Sequence, residues 1–215
     1  MRALLILRPE PGASATLARA LDFGLSAATH PMFAVEPLAW TMPDGAFDGL
    51  LLTSANAVRT AGPLPDLPVH AVGQATADAA RAAGARVETV GEGGVDDLLA
   101  RLPHERHLLH LAGEEHIEPG VRGPAVTAVG VYRTRALPLP AASQVEGRVV
   151  LVHSPAAGRR LAELRCDRAR VRVAAISTAA AAACGPDWER IAAAATPTDG
   201  ALLSLAAELC KDQGR

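Results

Sequence analysis

The sequence predicts an α/β protein of two small parallel-sheet domains facing a cleft. Two observations predict it. Short apolar runs alternate with helical stretches along the chain, which implies parallel strands joined by right-handed crossovers. One strand–Ser–helix unit also occurs twice, as DGLLLTSANAVRTA at 48–61 and GRVVLVHSPAAGRRLA at 147–162. Ser54 and Ser154 lie 100 positions apart, a domain-scale duplication and far beyond the period of a solenoid.

The elements follow in order. Ala3–Leu7 is a continuous apolar run and suits a strand buried on both faces. Arg8-Pro9-Glu10-Pro11-Gly12 ends it, and Ser14 or a neighbour caps a helix running to Gly24. Ala27–Val35 reads as one strand with Pro31 near its start, and Pro37–Pro43 as a connector. Phe47–Ser54 is the clearest strand, followed by a helix over Ala55–Ala61. Val69–Val72 and Arg86–Val90 are strands, with helices at Ala75–Ala83 and Asp96–Leu102. Leu108–Leu111 and Val126–Tyr132 are further strands, and Leu137–Gly147 is weakly patterned. The order then recurs: strands at Arg148–His153, Arg170–Ile176 and Ile191–Ala195, helices at Ala156–Leu164, Thr178–Cys184 and Gly200–Leu209. HAVGQATADAARAAG matches AAISTAAAAACG, and VETVGEGGVDDLLARL matches RIAAAATPTDGALLSLAAEL. The repeated units make each half a Rossmann- or flavodoxin-like sheet. The N-terminal strand and helix adjoin no second-copy unit, so residues 1–36 are expected to pack with 137–215, around an inserted domain of 37–136.

Composition narrows the function. Apolar residues make up 49% of 215, enough for two cores, and a net charge of −2 offers no field for nucleic acid or a membrane surface. Aromatics at 3% are too few for a base-stacking platform. Lys211 is the single lysine, which disfavours Schiff-base chemistry and a phosphate-loop lysine. Cys166, Cys184 and Cys210 form no C-x-x-C pair, so a disulfide framework and a zinc knuckle are not expected. The opening MRALLILRPEPG reads as a strand rather than a signal peptide, and no apolar run reaches the ~18 residues of a membrane span. A cytoplasmic monomer is the expectation.

The candidate site lies where strands hand over to helices. In open parallel sheets ligands bind at that edge, where free N–H groups and the helix dipole favour anions. Thr53-Ser54, Gly73-Gln74-Ala75-Thr76, His153-Ser154, Ser177-Thr178 and Thr196-Pro197-Thr198 occupy such corners. Helix N-capping is the plainer use of each hydroxyl; the recurrence of hydroxyls is what points to a ligand. No G-x-G-x-x-G follows the first strand, and there is neither a phosphate loop nor a G-x-S-x-G elbow, so no cofactor is expected and Ser54 and Ser154 are poor nucleophiles. His104, His107, His110 and His116 cluster, but their spacing on a strand scatters them over both faces, and no metal site is expected. Glu114-Glu115 reads as a solvated loop pair. Tyr132, the single tyrosine, closes a strand at the return crossing.

The ordered series resembles one family. Arg8-Pro9, DGLLLTSANAV at 48–58, AVGQATA at 71–77, Val131-Tyr-Arg-Thr, the strand–Ser-Pro at Val149–Pro155, AISTAA at 175–180 and PTDGALL at 197–203 are similar, in that order, to uroporphyrinogen-III synthases. The resemblance covers nearly the whole chain. It implies two α/β domains joined by two crossing strands, and a hydro-lyase that cyclises hydroxymethylbilane to uroporphyrinogen III without a cofactor, inverting the last pyrrole ring. Hydroxymethylbilane synthase, which makes that substrate, would be a transient partner. Tyr132 is the candidate for assisting loss of the terminal hydroxyl. Arg8, Thr53, Ser54, Gly73, Gln74 and Thr76 are candidate substrate-binding positions in the first part of the chain; Gly113, Ser154, Ser177 and Thr198 are those in the second. Ala112 and Ala180 depart from the family's basic residue and corner threonine, and the helix usual after the 108–111 strand shrinks to Glu115–Val121. The competing class is a non-catalytic two-lobed binder of a small carboxylate or other anion. A nucleotide-using enzyme is disfavoured by the missing phosphate loops.

Overall fold

The N-terminal apolar run forms β1 (Leu4–Ile6), buried at every position. Apolar residues at successive positions are what a parallel strand covered on both faces requires. The computed structural model describes residues 1–116, 118, 120 and 123–211; Ile117, Pro119 and Val121 of the shortened Glu115–Val121 segment lie outside the described residues. After β1 come α1 (Gly12–Asp22), β2 (Ala27–Thr29), β3 (Phe33–Pro37), β4 (Gly49–Leu52), α2 (Ala55–Thr60), β5 (Val69–Val72), α3 (Gln74–Ala82) and β6 (Val87–Gly91). Then follow α4 (Val95–Leu99), β7 (His107–Gly113), β8 (Ala125–Ala136), α5 (Ala142–Val145), β9 (Val149–Val152) and α6 (Pro155–Ala162). A 3₁₀ turn at Arg168–Arg170, β10 (Arg172–Ala175), α7 (Thr178–Ala183), β11 (Arg190–Ala193) and α8 (Asp199–Lys211) complete the order. The chain divides into two units, Met1–Ala34 with Ala136–Arg215, and Val35–Arg135.

The first unit holds a five-stranded sheet in the order β11-β10-β9-β1-β2, with every pair parallel. Alternate residues feed opposite cores. Leu5, Val150, Val152 and Val173 pack with Ala157 and Leu161 of α6 and Ala180 of α7. Leu4, Ile6, Val149 and Leu151 pack with Ala20 of α1 and Leu202, Leu203 and Ala206 of α8. The second unit holds a six-stranded sheet in the order β3-β8-β7-β4-β5-β6. On one face Leu50, Leu52, Leu109 and Leu111 meet Ala57 and Val58 of α2 and Ala77 and Ala80 of α3. On the other, Leu51 and Leu108 meet Leu98 and Leu99 of the short α4.

Three expectations are corrected. Ala27–Val35 is two strands in different sheets: β2 pairs with β1, whereas β3 lies beside β8. The break falls at Pro31, which has no N–H for a ladder, and beside it Met32 is fully buried in the first unit's core with its N–H on the Leu7 carbonyl at 3.1 Å. Ser14 does not cap α1; the Glu10 carboxylate accepts from the Ser14 N–H at 3.0 Å and from its hydroxyl at 2.9 Å. The Val126–Tyr132 strand runs on to Ala136, through the polar stretch 133–135, where Arg133 and Arg135 are both held by Glu36 of β3, at 3.0 and 2.6 Å.

Candidate active-site edges

In the second unit, four candidates form a row at or beside strand ends of one sheet. Leu52 pairs with Leu111 and with Ala71. Beyond these pairs Thr53 and Ser54 lead from β4 into α2 and Gly73 leads from β5 into α3, while Gly113, the last residue of β7, pairs with Tyr132. Ser54, Gly73 and Gly113 therefore stand at the carboxyl ends of β4, β5 and β7, and Tyr132 stands beside Gly113, before the end of β8. A left-handed backbone favours glycine at one of them, and a close neighbour favours it at another. Gly73 has φ +84°, in the left-handed region, and precedes α3. A Cβ on Gly113 would sit 3.1–3.2 Å from the Tyr132 ring and hydroxyl. Gly113, Glu114, Glu115 and Tyr132, with Arg133 and Thr134, line a cavity of about 110 Å³.

The side chains at this edge divide their work. Ser54 caps α2, its hydroxyl oxygen accepting the Asn56 N–H at 3.1 Å. Capping uses the oxygen and leaves the hydroxyl proton for another acceptor. Thr53 bonds instead to the ring of His110 on β7, Oγ1 to Nε2, at 3.0 Å. Burial pushes the His110 pKa down to about 4, with nearby His116 adding to it, so the ring is neutral at pH 7. Gln74 turns along α3 and donates to Asp78 at 2.6 Å, and Thr76 is buried on the helix's inner face. Neither side chain is placed as an open donor at the edge; the start of α3 offers backbone N–H groups there.

In the first unit the edge is more strongly charged. Ile6 pairs with Leu151, and Leu151 with Ala174, so continuing the register sets Arg8 beside His153 and Ser154 beside Ser177. Ser154 caps α6 through the Ala157 N–H at 3.1 Å, and Ser177 caps α7 through the Ala180 N–H at 3.2 Å. Thr198 accepts from the Ala201 N–H at 3.3 Å at the start of α8. The next residue, Asp199, draws four partners together: Arg19 at 2.7 Å, Thr16 at 2.9 Å, His153 at 3.1 Å and Arg8 at 3.4 Å. Burial pushes its carboxyl up, but the bonds from His153, Thr16 and Arg19 outweigh that and hold it well below the usual carboxylate range. Arg8 is thus engaged within its own unit.

Comparison with known proteins now bears on this geometry. The family model described as uroporphyrinogen-III synthase HemD matches residues 14–204. The chain belongs to the uroporphyrinogen-III synthase family. No curated protein sequence matches it. Among solved structures it is similar to the uroporphyrinogen-III synthetase from Helicobacter pylori, with 18% identity, a TM-score of 0.66, and coverage of 97% of this chain and 100% of that one. It is also similar to a mutant uroporphyrinogen III synthase from the extremely thermophilic bacterium Thermus thermophilus, with 19% identity, a TM-score of 0.53, and coverage of 98% and 100%. At these identities the structures report the fold, and the family match carries the activity: that of a uroporphyrinogen-III synthase, a lyase-type cyclase working without a cofactor.

Within this synthase fold, Thr53, Ser54, Gly73, Gly113 and Tyr132 gather at one edge, and Arg8, Ser154, Ser177 and Thr198 at the other. The sequence reading missed Asp199, Arg19, His110 and the partners of His153. Their pairings span 46 to 191 positions, and no local pattern announces them. Among the described residues no group of three or more His, Cys, Asp or Glu side chains is placed to hold a metal, and no helix is long and apolar enough to cross a membrane.

Proposed function

We propose that this synthase closes hydroxymethylbilane at the row formed by Tyr132, Gly113, Ser54 and Gly73, and that Arg8, Ser154, Ser177 and Thr198 are the carboxylate-binding positions of the first unit. The substrate carries an acetate and a propionate on each of its four rings. The row meets that demand with backbone N–H groups at helix starts and hydroxyl protons that capping leaves over. The observation that supports this reading most is the pairing of Gly113 with Tyr132 on the strand next to β4, whose end leads through Thr53 and Ser54 into α2.

Such positions suit the reaction. The Tyr132 hydroxyl hydrogen-bonds the terminal hydroxyl, which leaves with a proton as water and creates an electrophilic azafulvene. The substituted carbon of the last ring attacks it to form a spiro intermediate, which fragments and recloses with that ring inverted. The proton lost as the ring regains aromaticity balances the one given to the leaving group. Without the protein the bilane closes uninverted, so the site acts by fixing conformation and stabilising charge. The chain works as a cytoplasmic monomer and receives its unstable substrate from hydroxymethylbilane synthase. Buried Cys184 and Cys210 and half-buried Cys166, all free thiols, suit a reducing compartment. The experiment is to supply hydroxymethylbilane and separate the porphyrinogen isomers. The type III isomer is expected; the type I isomer alone would overturn the reading.

A further inference from the structure

We propose that His110 is a positioning residue for this reaction, donating from Nε2 to Thr53 Oγ1 so that the Thr53 hydroxyl proton is aimed outward at a substrate carboxylate. The inference rests on the functional reading above for the identity of the anion. Its geometric basis is independent. His110 is 1% exposed, and its Nε2 lies 3.0 Å from Thr53 Oγ1. Its Nδ1 is buried with no partner among the described residues. Its register neighbours are Leu51 on β4 and Ala128 on β8, which offer no polar side chain. His116 meets the ring edge-on at 5.6 Å, but its own Nδ1 lies 3.0 Å from the Gly113 carbonyl, to which it can only donate.

A neutral imidazole carries one proton, so two arrangements compete. If Thr53 donated to Nε2, the proton would sit on Nδ1, a buried N–H with no acceptor, and orphaned buried N–H groups are rare. If Nε2 carries the proton, it donates to Thr53, and Nδ1 leaves only a lone pair unpaired. The second arrangement consumes a lone pair of the hydroxyl oxygen and forces its proton away from the ring. Thr53 is half-buried at the carboxyl edge, directly before Ser54 of the row, so the outward direction is toward the proposed substrate.

Four variants and one spectrum test this. His110→Met and Thr53→Val should each raise KM for hydroxymethylbilane about 10-fold with kcat changed by no more than about twofold, as expected when ground-state and transition-state binding are lost together. His110→Gln, whose amide N–H reaches toward the position of Nε2, should restore KM. The His110→Met, Thr53→Val double variant should be no worse than either single one, because both remove the same interaction. In the wild type, ¹⁵N imidazole shifts should report the Nε2–H tautomer. An Nδ1–H tautomer, independent effects in the double variant, or equal KM in the Gln and Met variants would overturn the positioning role and leave the isomer test standing. Wild type giving the type I isomer alone would overturn the reaction itself, whatever the tautomer.

Discussion

Tyr132 lies close against a glycine. A Cβ at Gly113 would stand 3.1–3.2 Å from its ring and hydroxyl, so a side chain there would displace the ring by a few tenths of an ångström. If its hydroxyl assists departure of the leaving group, Tyr132→Phe should slow turnover by roughly 10- to 100-fold, reaching the lower limit of general-acid assistance. An unchanged kcat would remove it from the mechanism. Asp199 is the second decisive residue. Its carboxylate holds Arg8, Arg19, Thr16 and His153, so Asp199→Asn should lower stability by about 2 kcal/mol at neutral pH in urea unfolding. Because its folded pKa lies below the ordinary 3.8, this contribution is present above that pH and lost as pH falls through the folded value. The gap between variant and wild type should therefore close in acid.

At the scale of elements, the repeated strand–Ser–helix unit does two jobs with one hydroxyl. The oxygen of Ser54, Ser154 or Ser177 ends its helix by accepting an N–H, and the proton remains available. The copies nevertheless differ in how they pack. In the second copy α6 lies so close to α7 that a Cβ on Gly158 would fall 2.7 Å from the Ala180 carbonyl oxygen and 3.0 Å from the Ala183 methyl. Gly158→Ala should thus cost about 1–3 kcal/mol by overpacking, despite alanine's better helix propensity. Thermal unfolding measures it directly, and a raised midpoint would mean the two helices can separate freely. The edges also differ in charge. The residue before the capping serine is Thr53 in one copy and His153 in the other, and each finds a different partner, His110 or Asp199.

Over the whole molecule, three histidines are buried as neutral rings. Burial is the largest cause lowering the pKa of His70, His110 and His153; for His153 it prevails over the raising effect of Asp199. Unfolded histidines titrate near 6.5, so below that pH the unfolded chain binds more protons than the native one, and stability falls as pH drops. For His110 the loss continues to about pH 4 and reaches on the order of 3 kcal/mol, at about 1.4 kcal/mol per pH unit. Urea midpoints at pH 7, 5.5 and 4.5 should decline in that order, and His110→Gln should flatten the decline. A flat wild-type profile would contradict buried neutral rings.

Much of this architecture was legible because its causes are local. Runs such as Leu50–Leu52 and Val149–Val152, apolar at every position, specify strands covered on both faces, and a hydroxyl at a strand's end specifies where the next helix begins. The duplication was legible for the same reason, since both copies repeat that local grammar. Ala27–Val35 misled because its composition is uniform while its two halves belong to different sheets, a choice made by pairing partners far along the chain. The hydroxyl corners could be read from sequence, but the use of each could not. Whether Thr53 faces a histidine, whether Arg8 is held by Asp199, and whether Gln74 turns away to Asp78 depend on which strands and helices become neighbours. Local sequence sets backbone preference and the burial of a face; the hydrogen-bond partner and protonation of a side chain are set by what the fold brings beside it.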